Sequence, residues 1–208
     1  MFPTTANSAK NLAAQLTESK IESSGVQAGK AFLKFDFKSG DFSFGRDGDD
    51  VTGETLVVNT YSIQHGWTLW VNGAPQKVSV PFTEYLPDPM PPQAGNEPTE
   101  SRSFEARFLD DEETIVVFDT NSYGGRRGVD TLLNAIKSRA LNGDSEYLFP
   151  KIELTSDSYK AKQGGTVYNP VFNIVGWLNA EGQEFTDTPK VEHKEEEAAP
   201  VTRRRRRA

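Results

Sequence analysis

The sequence predicts a mostly-β fold, a barrel or sandwich of short strands and possible OB-like form, with one packed α-helix and a disordered C-terminal tail. Three observations lead there. Several short segments alternate apolar and polar residues with a period of two. An Asn-Gly pair separates two such segments. One segment alone carries a helical apolar period. The 208 residues include 13 Phe, 6 Tyr and 3 Trp, bulk enough for a sheet core. Without its termini, the chain suits one domain with one core.

The first 29 residues read as a flexible N-terminal arm. Leu12 and Leu16 allow one short helix over Asn7–Lys20, and Ser23, Ser24, Gly25 and Gly29 end it. The core domain spans 30–179. Leu33, Phe35 and Phe37 alternate in a first strand, and Asp41–Gly45 alternates in a second. Asp47-Gly48-Asp49-Asp50 is an acidic turn, since it lacks the spacing and terminal Glu of a calcium loop. Thr55–Asn59 is a short buried-type run. Gly66–Val71 and Lys77–Phe82 flank Asn72-Gly73, the clearest hairpin, which Ala74–Gln76 could lengthen.

Residues 86–101 hold Pro87, Pro89, Pro91, Pro92 and Pro98, which have no amide donors, so a long irregular loop is expected. Ser103–Leu109 and Glu113–Asp119 form a second hairpin. Tyr123–Gly128 reads as a flexible basic link. The helix follows, with Val129, Leu132, Leu133, Ile136 and Ala140 on one face and Asn142-Gly143 as its stop. Tyr147–Leu154 is strand-like, Tyr159–Gly165 a polar turn, and Thr166–Leu178 the closing strand. Residues 180–208 turn acidic and then Arg-rich. Their low hydrophobicity cannot offset ordering entropy, so a disordered tail is expected.

Composition excludes some chemistry. There is no cysteine, hence no disulfide, thiolate zinc site or cysteine nucleophile. His65 and His193 are the only histidines, and neither stands in a metal or triad pattern. No catalytic site, metal or cofactor is expected. No apolar run approaches the roughly 20 residues that span a bilayer. The N-terminus lacks the basic start and apolar stretch of a signal peptide. The expected location is the cytoplasm.

The net charge of −7 is unevenly spread. Residues 41–118 hold fourteen acids and four bases, whereas 120–162 hold seven bases and five acids. That asymmetry fits either a polyanion-binding face or ordinary solvated surface. Within the basic stretch, Tyr123, Arg126 and Arg127 lie beside two glycines at a helix start, where main-chain amides attract anions. Lys160 and Lys162 alternate near Tyr159 and Tyr168 on a turn that could follow a phosphate backbone. Trp67 and Trp70, three apart on one strand, face opposite sides, so one can be core and the other open for stacking, unless the helix or a dimer partner buries both. Tyr61, Phe35 and Phe37 carry the same ambiguity. In the tail, Arg203, Arg204, Arg205, Arg206 and Arg207 form a polyanion-binding or interaction handle.

Phe37–Gly45, His65-Gly66-Trp67 and above all Gly165–Trp177 resemble a family of tailed-bacteriophage early-gene proteins, over most of 31–178. Such proteins sit among replication and recombination genes, which implies a role in DNA metabolism; no functional residue carries over. A β core with an acidic tail is also similar in outline to single-stranded-DNA-binding proteins of short-tailed phages, from which this chain departs by ending in arginines. The expected function is non-sequence-specific single-stranded-DNA binding in phage replication or recombination. Expected partners are single-stranded DNA and replication or recombination proteins, with a homo-oligomer left open and no membrane. The rival readings are an interaction or inhibitor protein with an acidic surface, and a virion structural protein with a sandwich fold.

Overall fold

The computed structural model describes residues 30–111, 114–161 and 164–185. In chain order its elements are β1 (Lys30–Phe35), β2 (Phe42–Phe44), β3 (Asp49–Asp50), β4 (Thr55–Val71), β5 (Ala74–Pro81), β6 (Thr99–Phe108), β7 (Ile115–Thr120), α1 (Tyr123–Leu141), β8 (Phe149–Lys160) and β9 (Thr166–Leu178). The fold is mostly β with one helix. Both expected termini, 1–29 and 186–208, lie outside the described residues, as do Lys162 and Arg203–Arg207.

The strands form one sheet in the order β3-β2-β1-β7-β6-β4-β8-β9, with β5 paired to β4. All pairings are antiparallel except β1 with β7. The sheet curls into a half-barrel, and its far strand returns to its near side. The N–H of Tyr168 at the start of β9 donates to the Phe37 carbonyl just past β1, at 2.9 Å. Gly40 permits this approach. A Cβ there would lie 2.6 Å from the Tyr168 ring, and its φ of +87° suits glycine.

Inside the curl, Phe172 of β9 meets three rings. Its centroid lies 6.1 Å from Phe42, 5.2 Å from Phe104 and 5.1 Å from Phe118. Leu33, Leu56, Val58, Ile152 and Leu154 complete the sheet side of the core. Val129, Leu132 and Ile136 bury the inner face of α1 against it. Ala140, expected on that face, is exposed. Arg139 takes the inward place, its guanidinium 4.9 Å from the Trp177 ring and 4.6 Å from Phe185.

Several expected boundaries move. Thr55–Asn59 and Gly66–Val71 are parts of one 17-residue strand, irregular between Asn59 and Gln64. The irregularity lets one strand bend between two neighbours on the same edge, β8 and then β5. The β4–β5 turn has only two residues, Asn72 and Gly73, both at positive φ. Residues 123–128 are not a link but the first turns of α1, capped by Ser122 Oγ, which accepts from Gly125 N–H at 3.1 Å. The polar turn expected from Tyr159 starts later, because β8 runs to Lys160. Ordered packing also continues past 180. Asn179 Oδ1 accepts from the N–H groups of Glu181 and Gln183, and Phe185 N–H donates to the Trp177 carbonyl at 2.8 Å.

The acidic turn carries no metal geometry. Asp50 Oδ1 accepts from Thr52 N–H at 2.9 Å, and the main-chain and side-chain hydrogen bonds from Thr52 hold its carboxyl below the usual range.

Candidate nucleic-acid interface

The parallel pair β1 and β7 creates the main concavity. The two strands stay in register from Lys30 opposite Ile115 to Leu33 opposite Phe118. They then part. β1 turns to pair with β2, while the chain after β7 turns at Ser122 into α1. The gap lies outside the carboxyl ends of these two parallel strands. The start of β9, from Val167 to Pro170, closes its third side. The result is a crevice of about 500 Å³.

Aromatic rings rim this crevice. Phe32 and Phe37 come from β1 and the residues after it, Tyr123 from the first turn of α1, and Tyr159 from β8. They are 48, 58, 75 and 52 % exposed, an unusual cost in open apolar surface at one place. Smaller hollows of about 290 and 390 Å³ adjoin it across Tyr123, and Arg127 lines both.

The charges around the rim are unbalanced. Lys34 lines the crevice, the Lys38 ammonium lies 5.9 Å from the Phe37 ring, and Arg127 lines the adjoining hollows. Among the described residues Lys34, Lys38, Arg127 and Lys160 form no salt bridge, whereas Lys30, Lys77, Arg102, Arg126, Arg139 and Lys151 all do. Of the nearby acids, Asp119 is paired with Lys77, whereas Asp157 and Asp36 keep their charge and accept hydrogen bonds from Asn169 Nδ2 at 3.0 Å and from Lys38 N–H at 2.8 Å.

The expected site residues divide. Tyr123 lines the crevice, and Arg127 lines the two hollows that adjoin it across Tyr123. Lys160 follows Tyr159, and strand alternation turns it to the other face of the β8–β9 hairpin. Arg126 is tied down: it pairs with Glu100 at 3.2 Å, and Glu100 also holds Arg102, which pairs with Asp130 at 2.9 Å. The aromatic trio on β4 lies apart from the crevice lining. Tyr61 is exposed at the irregularity of β4, edge-on to Phe149. Trp67 is half-buried, its Nε1 donating to the Pro87 carbonyl at 2.7 Å. Trp70 is the exposed member of the pair, beside the two-residue turn.

The glycines beside Arg126 serve packing. A Cβ on Gly124 would lie 2.2 Å from Asn169 Oδ1, and one on Gly128 would lie 2.9 Å from the Pro170 carbonyl. They let α1 lie close on β9. A phosphate-loop reading of these glycines is therefore unnecessary. Phe32 and Lys34 are absent from the expected site, whereas Phe37 is ambiguous between core and open face and Tyr159 belongs to the basic turn. Phe32 lies off the alternation of Leu33, Phe35 and Phe37, so the period-two pattern gives no signal for it.

The chain matches no protein-family model, no curated protein and no solved structure. The chemistry of the crevice is therefore argued from its own side chains. Among the described residues no group of three or more His, Asp or Glu side chains could hold a metal ion, and no helix is long and apolar enough to cross a membrane.

Proposed function

We propose that this protein binds single-stranded DNA without sequence preference, as an accessory of phage replication or recombination. One observation carries the reading: four exposed rings rim one crevice whose surrounding cations form no salt bridge among the described residues. Flat rings stack on any base, and cations follow the backbone. A duplex hides its bases' faces and cannot use the rings, so the arrangement favours single strands. A curled sheet with a packed helix is compatible with an OB-like binding platform. The phage setting rests on the resemblance of Gly165–Trp177 and its companions. The net charge of −7 opposes the approach of DNA at long range, so binding depends on local contacts at the crevice.

The test is fluorescence anisotropy of labelled oligo-dT and a matching duplex across a salt series. The full chain and a chain ending at Phe185 are compared. Preference for the single strand that survives removal of 186–208 supports the reading. Binding that vanishes with the tail, or that ignores strandedness, sinks it and favours an interaction protein working through its acidic surface.

A further inference from the structure

Tyr85 is 98 % exposed, on a loop that is otherwise firmly held. The loop, 82–98, is pinned to β4 at three points. His65 Nε2 donates to the Glu84 carbonyl at 3.0 Å, Trp67 Nε1 to the Pro87 carbonyl, and Asn96 Nδ2 to the Trp70 carbonyl at 2.8 Å. Proline at 87, 89, 91 and 92 fixes φ and stiffens what lies between the pins. Phe82 and Leu86, beside Tyr85, are 38 and 37 % exposed. The loop thus presents a preordered apolar knob that the other described residues leave uncovered.

We infer that the aromatic crevice of one molecule receives loop 82–98 of a second copy, led by Tyr85. Proline-rich segments dock in grooves lined by aromatic rings, losing little conformational entropy because they are already extended. The crevice supplies such rings in Phe32, Phe37, Tyr123 and Tyr159. The charges match as well. No Lys or Arg lies between Lys77 and Arg102, and Glu84, Asp88 and Glu97 make the loop acidic. Lys34, Lys38 and Arg127 lie at or beside the crevice and, among the described residues, form no salt bridge. Loop and crevice are different surfaces, so the contact is head-to-tail and can propagate from molecule to molecule. One loop in one crevice is a small interface, so the association is weak.

The inference uses the crevice of the nucleic-acid reading, for which loop and DNA would compete, and its test contains no nucleic acid, so either can fail without the other. Sedimentation velocity of the full chain, from low to high micromolar concentration, should show a sedimentation coefficient that rises with concentration and falls back with added salt. Tyr85→Ser and the double change Phe37→Ser with Lys34→Glu alter exposed side chains, and near-ultraviolet circular dichroism checks that each variant keeps its fold. Each variant alone should remain monomeric. Mixed in equal amounts they should form dimers and nothing larger, because the loop of one still fits the crevice of the other. A wild-type chain that stays monomeric, an association indifferent to salt, either variant associating alone, or a mixture that does not associate overturns the inference.

Discussion

The guanidinium of Arg139 lies 4.6 Å from the ring of Phe185, and that contact fastens the end of the described chain to the end of the helix. Trp177 lies 4.9 Å from the same guanidinium, so the cation sits with aromatic rings for neighbours. Arg139 Nε also donates to the Tyr147 carbonyl at 2.7 Å, which holds it in place. A residue that helical periodicity would assign to solvent thus organises the junction between α1, β9 and the residues that follow.

Phe185→Ala should lower stability by about 0.5–2 kcal/mol, the span from exposed to desolvated cation–ring contacts, since the Phe185 ring is partly exposed. Urea denaturation measures it. A chain ending at Asn179 should show at least the same loss, because it also removes the hydrogen bonds of Glu181 and Gln183 to Asn179. Equal stability of chains ending at 179 and 185 would show the contact to be incidental.

Gly128→Ala should destabilise, against the helix propensity scale. Alanine in a helix interior is ordinarily better than glycine by about 1 kcal/mol. Here the new methyl would meet the Pro170 carbonyl at 2.9 Å and the Phe172 ring at 3.2 Å. Overpacking costs about 1–3 kcal/mol, so the net effect is a loss. Ser138→Ala, on the exposed side of the same helix, should be neutral or slightly stabilising. Thermal melts of the two variants give opposite signs if helix-to-sheet approach is what selects glycine.

Phe37→Ala and Tyr159→Ala should each weaken oligo-dT binding by about 1–3 kcal/mol, or roughly 5- to 150-fold. Trp70→Ala should leave the affinity unchanged, since Trp70 is exposed away from the crevice lining. Arg127→Ala should lower the salt dependence by about one unit in the log–log slope. Anisotropy titrations read all three. The opposite pattern, loss with Trp70 and none with Phe37, would move the site to the β4–β5 hairpin.

Asp50 gives a small acid-side signature. Its folded carboxyl sits below the ordinary range, so its contribution to stability is present above the unfolded pKa of about 3.9 and is lost as pH falls through the folded value. Asp50→Ala should therefore be less stable than the wild type at neutral pH, with the gap narrowing once both are taken into strong acid. A gap independent of pH would assign the effect to the turn rather than to the charge.

The sequence alone determined the mostly-β class, the single helix, and the Asn72-Gly73 and Asn142-Gly143 turns. Those features are local: period-two alternation, a 3.6-residue period and the tolerance of Asn and Gly for positive φ act within a few residues. It also established that Trp67 and Trp70 face opposite sides, which is a matter of strand pleat. Only the tertiary structure decided which of them is open, because a distant carbonyl, that of Pro87, claims Trp67. It likewise turned Arg126 from a free cation into a partner of Glu100, and the glycines around it into packing positions against β9. The crevice itself exists because β1 and β7 run parallel for four residue pairs and then part. Those strands are some eighty residues apart in sequence, and no local pattern records which distant strand a segment will pair with or where the pairing ends. Phe37 therefore alternates with core residues Leu33 and Phe35 in the sequence and becomes rim in the fold.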